Sequence, residues 1–394
     1  LEDRRLESVD MDLVNPGDIC RAGYVFDVVE PRAKEPSSGA DFPGILGPFT
    51  PAGQGTTHVL KGAAVTVVDG GQPGGEHGYV SRRGGMSKIL EMSGLASQAT
   101  PYGKLHHLVM VPHAYPNVER HAVLKALRVA SVKASVYLAK ASLKLNPSNT
   151  IIYDLADAPS NSSGTPPRVV YIGQVHGHQH GTEVDEAILY GGNTQGMMAA
   201  PLHPNEWLDG AVVVSYSWGM RGLETYFHQN HPIIQELYRL HELGEIVFAG
   251  TIATASAVLE EDLARNSMMA AHLAKWSLKA DGAILTKYVG GAPHADMFET
   301  ARRCEELGIT KIVQFCVRLS FIDHARVQLY TNDLATARGQ WQAKIANAAE
   351  QIKHTLSFYI TKQSQSLTDH QSIHILINLN EIQRNNFHPQ MEIR

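Results

Sequence analysis

The chain has 394 residues, enough for two domains, with 43% hydrophobic and 19% charged residues, the ordinary balance of a soluble globular protein. Its net charge of −5, with no basic block, argues against a nucleic-acid partner, and no apolar run approaches the ~18 residues that would argue for a membrane span. There is no basic-then-apolar leader, and the three cysteines, Cys20, Cys304 and Cys316, form no C-x-x-C pair; a cytoplasmic protein without a cysteine-only metal site is expected.

Residues 1–110 are rich in Gly and Pro. Short β-prone runs at 25–29 and 63–68 alternate with turn signals such as Asn15-Pro16-Gly17 and Asp69-Gly70-Gly71, which predicts a small, mostly β domain. A helical segment fills 111–155: Val123, Leu127, Ala130, Ala134 and Leu138 recur at helical spacing and predict a long helix over 119–143. Residues 156–167 read as a Pro/Ser linker.

From 168 to 320 the pattern alternates. Strands are predicted at 169–175, 211–215, 245–252, 282–286 and 310–316, and helices at 183–190, 232–242, 258–278 and 294–307. Such alternation predicts a parallel sheet with helices on both faces. The fold class is therefore α/β, an N-terminal mostly β domain followed by a parallel-sheet βαβ domain. Residues 321–394 read as one amphipathic helix near 333–360 and a polar tail.

The stretch Gln174-Val175-His176-Gly177-His178-Gln179-His180-Gly181 carries the sharpest chemical signal. In an extended chain residues i, i+2 and i+4 face the same way, ~6.6 Å apart. Two imidazoles can converge on one ion, and the glycines let the backbone bend so that a third joins. Neutral imidazole is the commonest ligand for transition metals. A metal site, zinc or iron, is expected on His176, His178 and His180, completed by His228, His294 or Glu183; the competing reading is a solvated His-rich loop. Glu183 and Asp185 also suit a tautomer-holding partner, a general base, or plain charge complementarity at a helix start.

In a parallel sheet ligands bind outside the carboxyl ends of the strands. Ser215, Tyr216 and Ser217, Thr251 and Thr254, Lys287 and His294, and Cys316 all follow predicted strands and are expected on one rim with the histidines. Lys287 can anchor an anionic substrate, although a surface lysine is the commoner case. His231, before Pro232, reads as a cap residue. Gly290-Gly291 followed by a helix start can hold an anion but is not a dinucleotide fingerprint. Cys316 reads as a small core residue. His106, His107 and His113 are taken as structural or as supporting groups.

Several blocks, in order, resemble a known family. They are Val14-Asn15-Pro16-Gly17-Asp18, Asp27-Val28-Val29-Glu30-Pro31-Arg32, Phe42-Pro43-Gly44, Thr57-His58-Val59-Leu60-Lys61-Gly62, Met92-Ser93-Gly94 with Pro101-Tyr102, Asn230-His231-Pro232-Ile233-Ile234-Gln235-Glu236-Leu237-Tyr238 and Leu278-Lys279-Ala280-Asp281-Gly282-Ala283. Over residues 1–316 the chain resembles the component B proprotein of glycine, sarcosine and betaine reductases and its D-proline reductase relatives. The resemblance implies a chain cut before an internal cysteine, which becomes a pyruvoyl-type carbonyl that captures the substrate amine, and a selenoprotein or thiol partner.

The corresponding run here, Ala211-Val212-Val213-Val214-Ser215-Tyr216-Ser217-Trp218-Gly219, has no cysteine. Ser217 falls near the cleavage position, and serine can also give a pyruvoyl group, but none is expected and the chain is expected to remain uncut. The H-x-H-x-H series departs from the family pattern. The expected function is a component B-like, metal-dependent enzyme acting on a small amine- or carboxylate-bearing molecule by reductive or lytic cleavage, with Glu183, Ser217 and Lys287 as catalytic candidates. The alternative is a non-catalytic substrate-binding subunit of a multi-component reductase. A small-molecule substrate, a partner reductase subunit and a homo-oligomer are the expected partners.

Overall fold

Beta-branched runs cut by Gly and Asn turns give the first hundred residues their strands: β1 (Leu6–Val14), β2 (Ile19–Arg21), β3 (Tyr24–Val29), β4 (Arg32–Lys34), β5 (Thr57–Val59), β6 (Ala63–Asp69), β7 (Ile89–Glu91) and β8 (His106–Ala114). The computed structural model describes residues 4–21, 24–69, 89–91, 101–155, 166–176, 188–194, 196–214, 224–257, 259–287, 292–309, 311–316 and 376–378. Four of the strands form a sheet in the order β1-β8-β6-β3, in which β6–β8 is the parallel pair; β2–β7 and β4–β5 are small antiparallel ribbons.

The period-2 alternation of β6 decides what each face packs against. Val65 and Val67 pack with α1 (Arg120–Lys140), where Ala130, Ala134 and Leu127 meet them. Ala64 and Val68 point the other way, to Val14, Val28, Tyr102 and Val109.

The second sheet is built from β9 (Arg168–His176), β10 (Ala200–Leu202), β11 (Val247–Ala255), β12 (Gly282–Lys287), β13 (Lys311–Cys316) and β14 (Leu376–Asn378), in the order β10-β11-β9-β12-β13-β14. All its pairs are parallel except β10–β11. Its helices are α2 (Pro204–Leu208), α3 (Thr225–Gln229), α4 (Pro232–Glu242), α5 (Glu260–His272) and α6 (Ala292–Glu306). Strand β9 is buried on both faces. Val169, Tyr171 and Val175 enter a core with Trp207 and Ile234, Leu237 and Tyr238 of α4. Val170 and Ile172 enter the opposite core with Ala270 and Ala271 of α5 and Met297, Ala301 and Cys304 of α6. The α/β class expected from the alternation is the class observed. No helix among the described residues is long and apolar enough to cross a membrane.

Two sequence-based elements are corrected. The strand expected at 211–215 is a buried connector over its described part: Val212 makes an isolated bridge to Leu189, while Val213 packs with Val132 and Val136 of α1. A short apolar run reports burial, not conformation, so periodicity alone could not separate the two. The helix expected at 183–190 is, over 188–190, a tight turn closed by Gly192 N–H to the Leu189 carbonyl at 2.8 Å. Gly191 there has φ +73° and lies back to back with Gly44, whose φ is +80°; an added Cβ on either would overlap the other segment's backbone. Gly44→Ala is accordingly expected to cost about 2–4 kcal/mol, from backbone strain plus overpacking, read as a lower urea midpoint at unchanged slope.

Buried polar contacts lock the N-terminal sheet onto 204–230. Asp27 accepts from Thr225 N–H at 2.8 Å and Thr225 Oγ1 at 2.7 Å. Glu30 N–H donates to Gln229 Oε1 at 2.9 Å, and Arg32 and Lys34 both pair with Asp209.

Candidate functional site

The strand order fixes where a ligand crevice falls. From β9 the chain passes through α4 to β11 on one side, whereas from β12 it passes through α6 to β13 on the other. Adjacent strands β9 and β12 are therefore the switch point; in sheets of this kind ligands bind outside the carboxyl ends of the strands at such a point. Those ends carry His176 and Lys287. Register puts Ala255 opposite His176, Gly173 opposite Thr286 and Cys316 opposite Lys287. Helix α6, with His294 in its first turn, starts just past the end of β12.

Beneath this edge lies a chain of buried hydrogen bonds. His231 caps α4: its Nδ1 accepts from Ile234 N–H at 3.4 Å, which places the proton of the neutral ring on Nε2. Nε2 then donates to Tyr171 Oη at 3.0 Å, and the phenol donates to Thr286 Oγ1 at 2.6 Å. Burial, with nearby His228, holds the His231 pKa well below the usual imidazole range, so the ring is neutral as the chain requires. Gly173 makes room for the phenol, since a Cβ there would come within 2.6 Å of Tyr171 Oη. The result is a rigid hydrogen-bonded chain on the α4 face of β9 and β12; Lys287, the residue after Thr286, is buried rather than on the surface.

His228 in α3 is fully buried, with its ring 5.9 Å from Trp207 and 6.0 Å from Phe227. Burial lowers its pKa to about 3, so it stays neutral at physiological pH. On the opposite face of the sheet, Gln174 Nε2 donates to the Pro293 carbonyl at 3.0 Å and to Asp296 Oδ2 at 2.8 Å; burial pushes the Asp296 carboxyl up to about 7.

The other expected groups divide cleanly. His178, His180, Glu183, Asp185, Ser215, Tyr216 and Ser217 lie outside the described residues. Among the described residues, no three His, Cys, Asp or Glu side chains converge as a metal centre. His58 pairs with Glu35 at 2.7 Å, His107 bridges Thr66 and the Tyr102 carbonyl, and His106 and His113 hold Asn15 and Asp10. Sequence reasoning missed Tyr171, Gln174, Thr286 and Asp296. The usable signal was polarity inside otherwise apolar strand runs, such as Gln174 after Val-Val-Tyr-Ile-Gly.

Comparison with known proteins gives a consistent result. A family profile described as glycine/sarcosine/betaine reductase component B subunits matches residues 1–316. The glycine reductase complex component B subunits alpha and beta of Peptoclostridium acidaminophilum are 31% identical over 309 residues, covering 78% of this chain and 69% of that protein. The protein of the same description from Acetoanaerobium sticklandii is 31% identical over 316 residues, with 79% and 69% covered. The betaine reductase complex component B subunit alpha of P. acidaminophilum is 30% identical over 325 residues, with 79% and 69% covered.

Proposed function

Because this chain belongs to the family of glycine/sarcosine/betaine reductase component B subunits, we propose that it is the substrate-activating component of a multi-subunit reductase, taking a small amine- or carboxylate-bearing molecule at the crevice between β9 and β12. The observation that supports this reading is the switch point itself, where β9 ends at His176 and the adjacent β12 ends at a buried lysine, Lys287.

We expect no carbonyl electrophile of the kind the resemblance implies, although serine can also give one. The 211–219 run has no cysteine. Cys304 faces the sheet core from α6, with burial pushing its thiol up to about 12. No step of the proposed reaction depends on that group. In its place, His176, His178 and His180 would hold a zinc or iron ion, with His294, Glu183 or His228 completing the shell. Such an ion supplies Lewis acidity, polarising a bound oxygen or lowering the pKa of water. Lys287 would hold the anionic end of the substrate. Glu183 would move the proton, with Ser217 as a further catalytic candidate.

A second reading, a non-catalytic subunit that presents substrate to a partner, is favoured by the same cysteine-free run: a chain without the electrophile can still bind substrate. Intact-mass measurement with elemental analysis, followed by turnover assays with and without partner subunits, separates the two. One uncut mass with a stoichiometric transition metal, and activity that needs it, is expected. Two fragments parting near 215–218 would overturn the uncut state and make Ser217 the first suspect. A metal-free chain that works only with its partner would establish the second reading.

A further inference from the structure

Three buried oxygens gather beneath the carboxyl edge with no hydrogen-bond partner among the described residues: Gln174 Oε1 of β9, Ser256 Oγ just after β11, and Asn266 Oδ1 of α5. Gln174, Ser256 and Asn266 are each at most 4% exposed, as are their neighbours Ser267 of α5 and Asp296 of α6. The amide orientations are fixed. Gln174 Nε2 is spent on the Pro293 carbonyl and Asp296 Oδ2, and Asn266 Nδ2 on the Ala255 carbonyl at 2.6 Å. Neither amide can be flipped to turn its oxygen into a donor without losing those bonds.

Contacts tie these groups together. Asn266 reaches the carbonyl of the residue before Ser256. Its neighbour Ser267 donates to Asp296 Oδ1 at 3.4 Å, and the other oxygen of that carboxylate holds the Gln174 amide. Buried polar atoms in native proteins are almost always satisfied, so such a cluster marks something that fills it. One water offers two protons. Three acceptors remain there, Gln174 Oε1, Asn266 Oδ1 and the weakly bonded Asp296 Oδ1. A cation meets all of them and Ser256 Oγ at once, because hard cations take oxygen ligands from carboxylate, amide and hydroxyl groups alike. One carboxylate among neutral oxygens balances one positive charge.

We propose that Gln174, Ser256, Asn266 and Asp296 hold a monovalent cation, K⁺ or Na⁺, between β9, the end of β11, α5 and α6. The site is distinct from the histidine series: its donors are oxygens, and it lies within the fold under the edge. By gripping Gln174 it fixes the strand two residues before His176.

The test is thermal unfolding of the full chain in choline chloride, replaced stepwise by KCl or NaCl at constant ionic strength. A ligand of the folded state stabilises saturably, and a rise in Tm of about 2–5 °C is expected. Asp296→Asn should abolish the cation dependence. Asn266→Ala, which keeps the charge, should shift half-saturation at least tenfold to higher salt and serves where the first variant does not fold. A wild-type Tm equal in choline, potassium and sodium would overturn the proposal and leave water in the cluster. If that insensitivity came with marked destabilisation of Lys287→Met, the balancing charge would belong to Lys287 instead.

Discussion

Asp209→Ala is expected to cost the fold about 3–5 kcal/mol, the typical penalty for stranding buried charge. Asp209 sits between two buried cations: Arg32 Nη2 pairs with Oδ1 and Lys34 Nζ with Oδ2. Gly53 N–H at 2.9 Å and Thr57 Oγ1 at 2.8 Å saturate the same carboxylate. Arg32 lies over the Phe42 ring at 5.2 Å and against Gly210, where no Cβ could be accommodated, so the guanidinium cannot swing out to water. Removing the carboxylate leaves both cations dry. Urea unfolding reads the loss. Replacing Arg32 and Lys34 with Met in the same variant should recover part of it, because an apolar replacement is cheaper than a broken pair; no recovery would mean that the carboxylate acts through its backbone bonds alone.

The same residue sets a pH dependence. Burial raises the Asp209 pKa, but Arg32 and Lys34 outweigh it, and the folded value lies below the ordinary one. The contribution of this carboxylate is therefore fully present above its unfolded pKa, about 3.9, and is lost as pH falls through the lower folded value. Acid unfolding of the wild type should include this component, and the Asp209→Ala variant should lack it.

If the proposed metal site is right, the double change His176→Ala with His178→Ala removes the transition metal and the activity that needs it. The fold should remain intact, losing only the stabilisation that the bound ion itself supplied. His176 is the last residue of β9, just past the core residue Val175. Metal analysis and the unfolding midpoint, measured on the same sample, separate the two effects. Full metal content in the double variant would reduce the three histidines to a polar loop and leave the family alone to define the function.

Periodicity made the second sheet legible: α4 falls at the predicted 232–242, and β9 and β12 each extend one residue beyond the prediction at the carboxyl end. Helix α5 ends at His272, before a π turn over Leu273–Ser277, so the predicted 258–278 helix changes its hydrogen bonding part-way. Strand order was not legible. Nothing local says that β12 returns past β11 to pair with β9, yet that return creates the switch point. The buried state of Lys287 was likewise hidden, because a lysine's sequence neighbours do not report what covers it. The Tyr171–His231–Thr286 chain joins residues 60 and 115 positions apart, beyond any sequence window.

Those long separations bear on how quickly the chain can fold. Strand β1 waits for β8, since Leu6 pairs with Ala114, and β9 waits for β12, since Val169 pairs with Gly282. The Asp27–Thr225 and Glu30–Gln229 bonds span 198 and 199 residues. Loop-closure entropy must be met before such contacts reward it, so a topology of this contact order folds slowly. During synthesis the N-terminal sheet cannot bury Asp27 and Glu30 against their partners until residues 225–229 have left the ribosome. Until β11 and β12 follow, β9 presents apolar residues on both faces and two open edges. The strand at the centre of the finished sheet is thus exposed to aggregation while the chain is nascent.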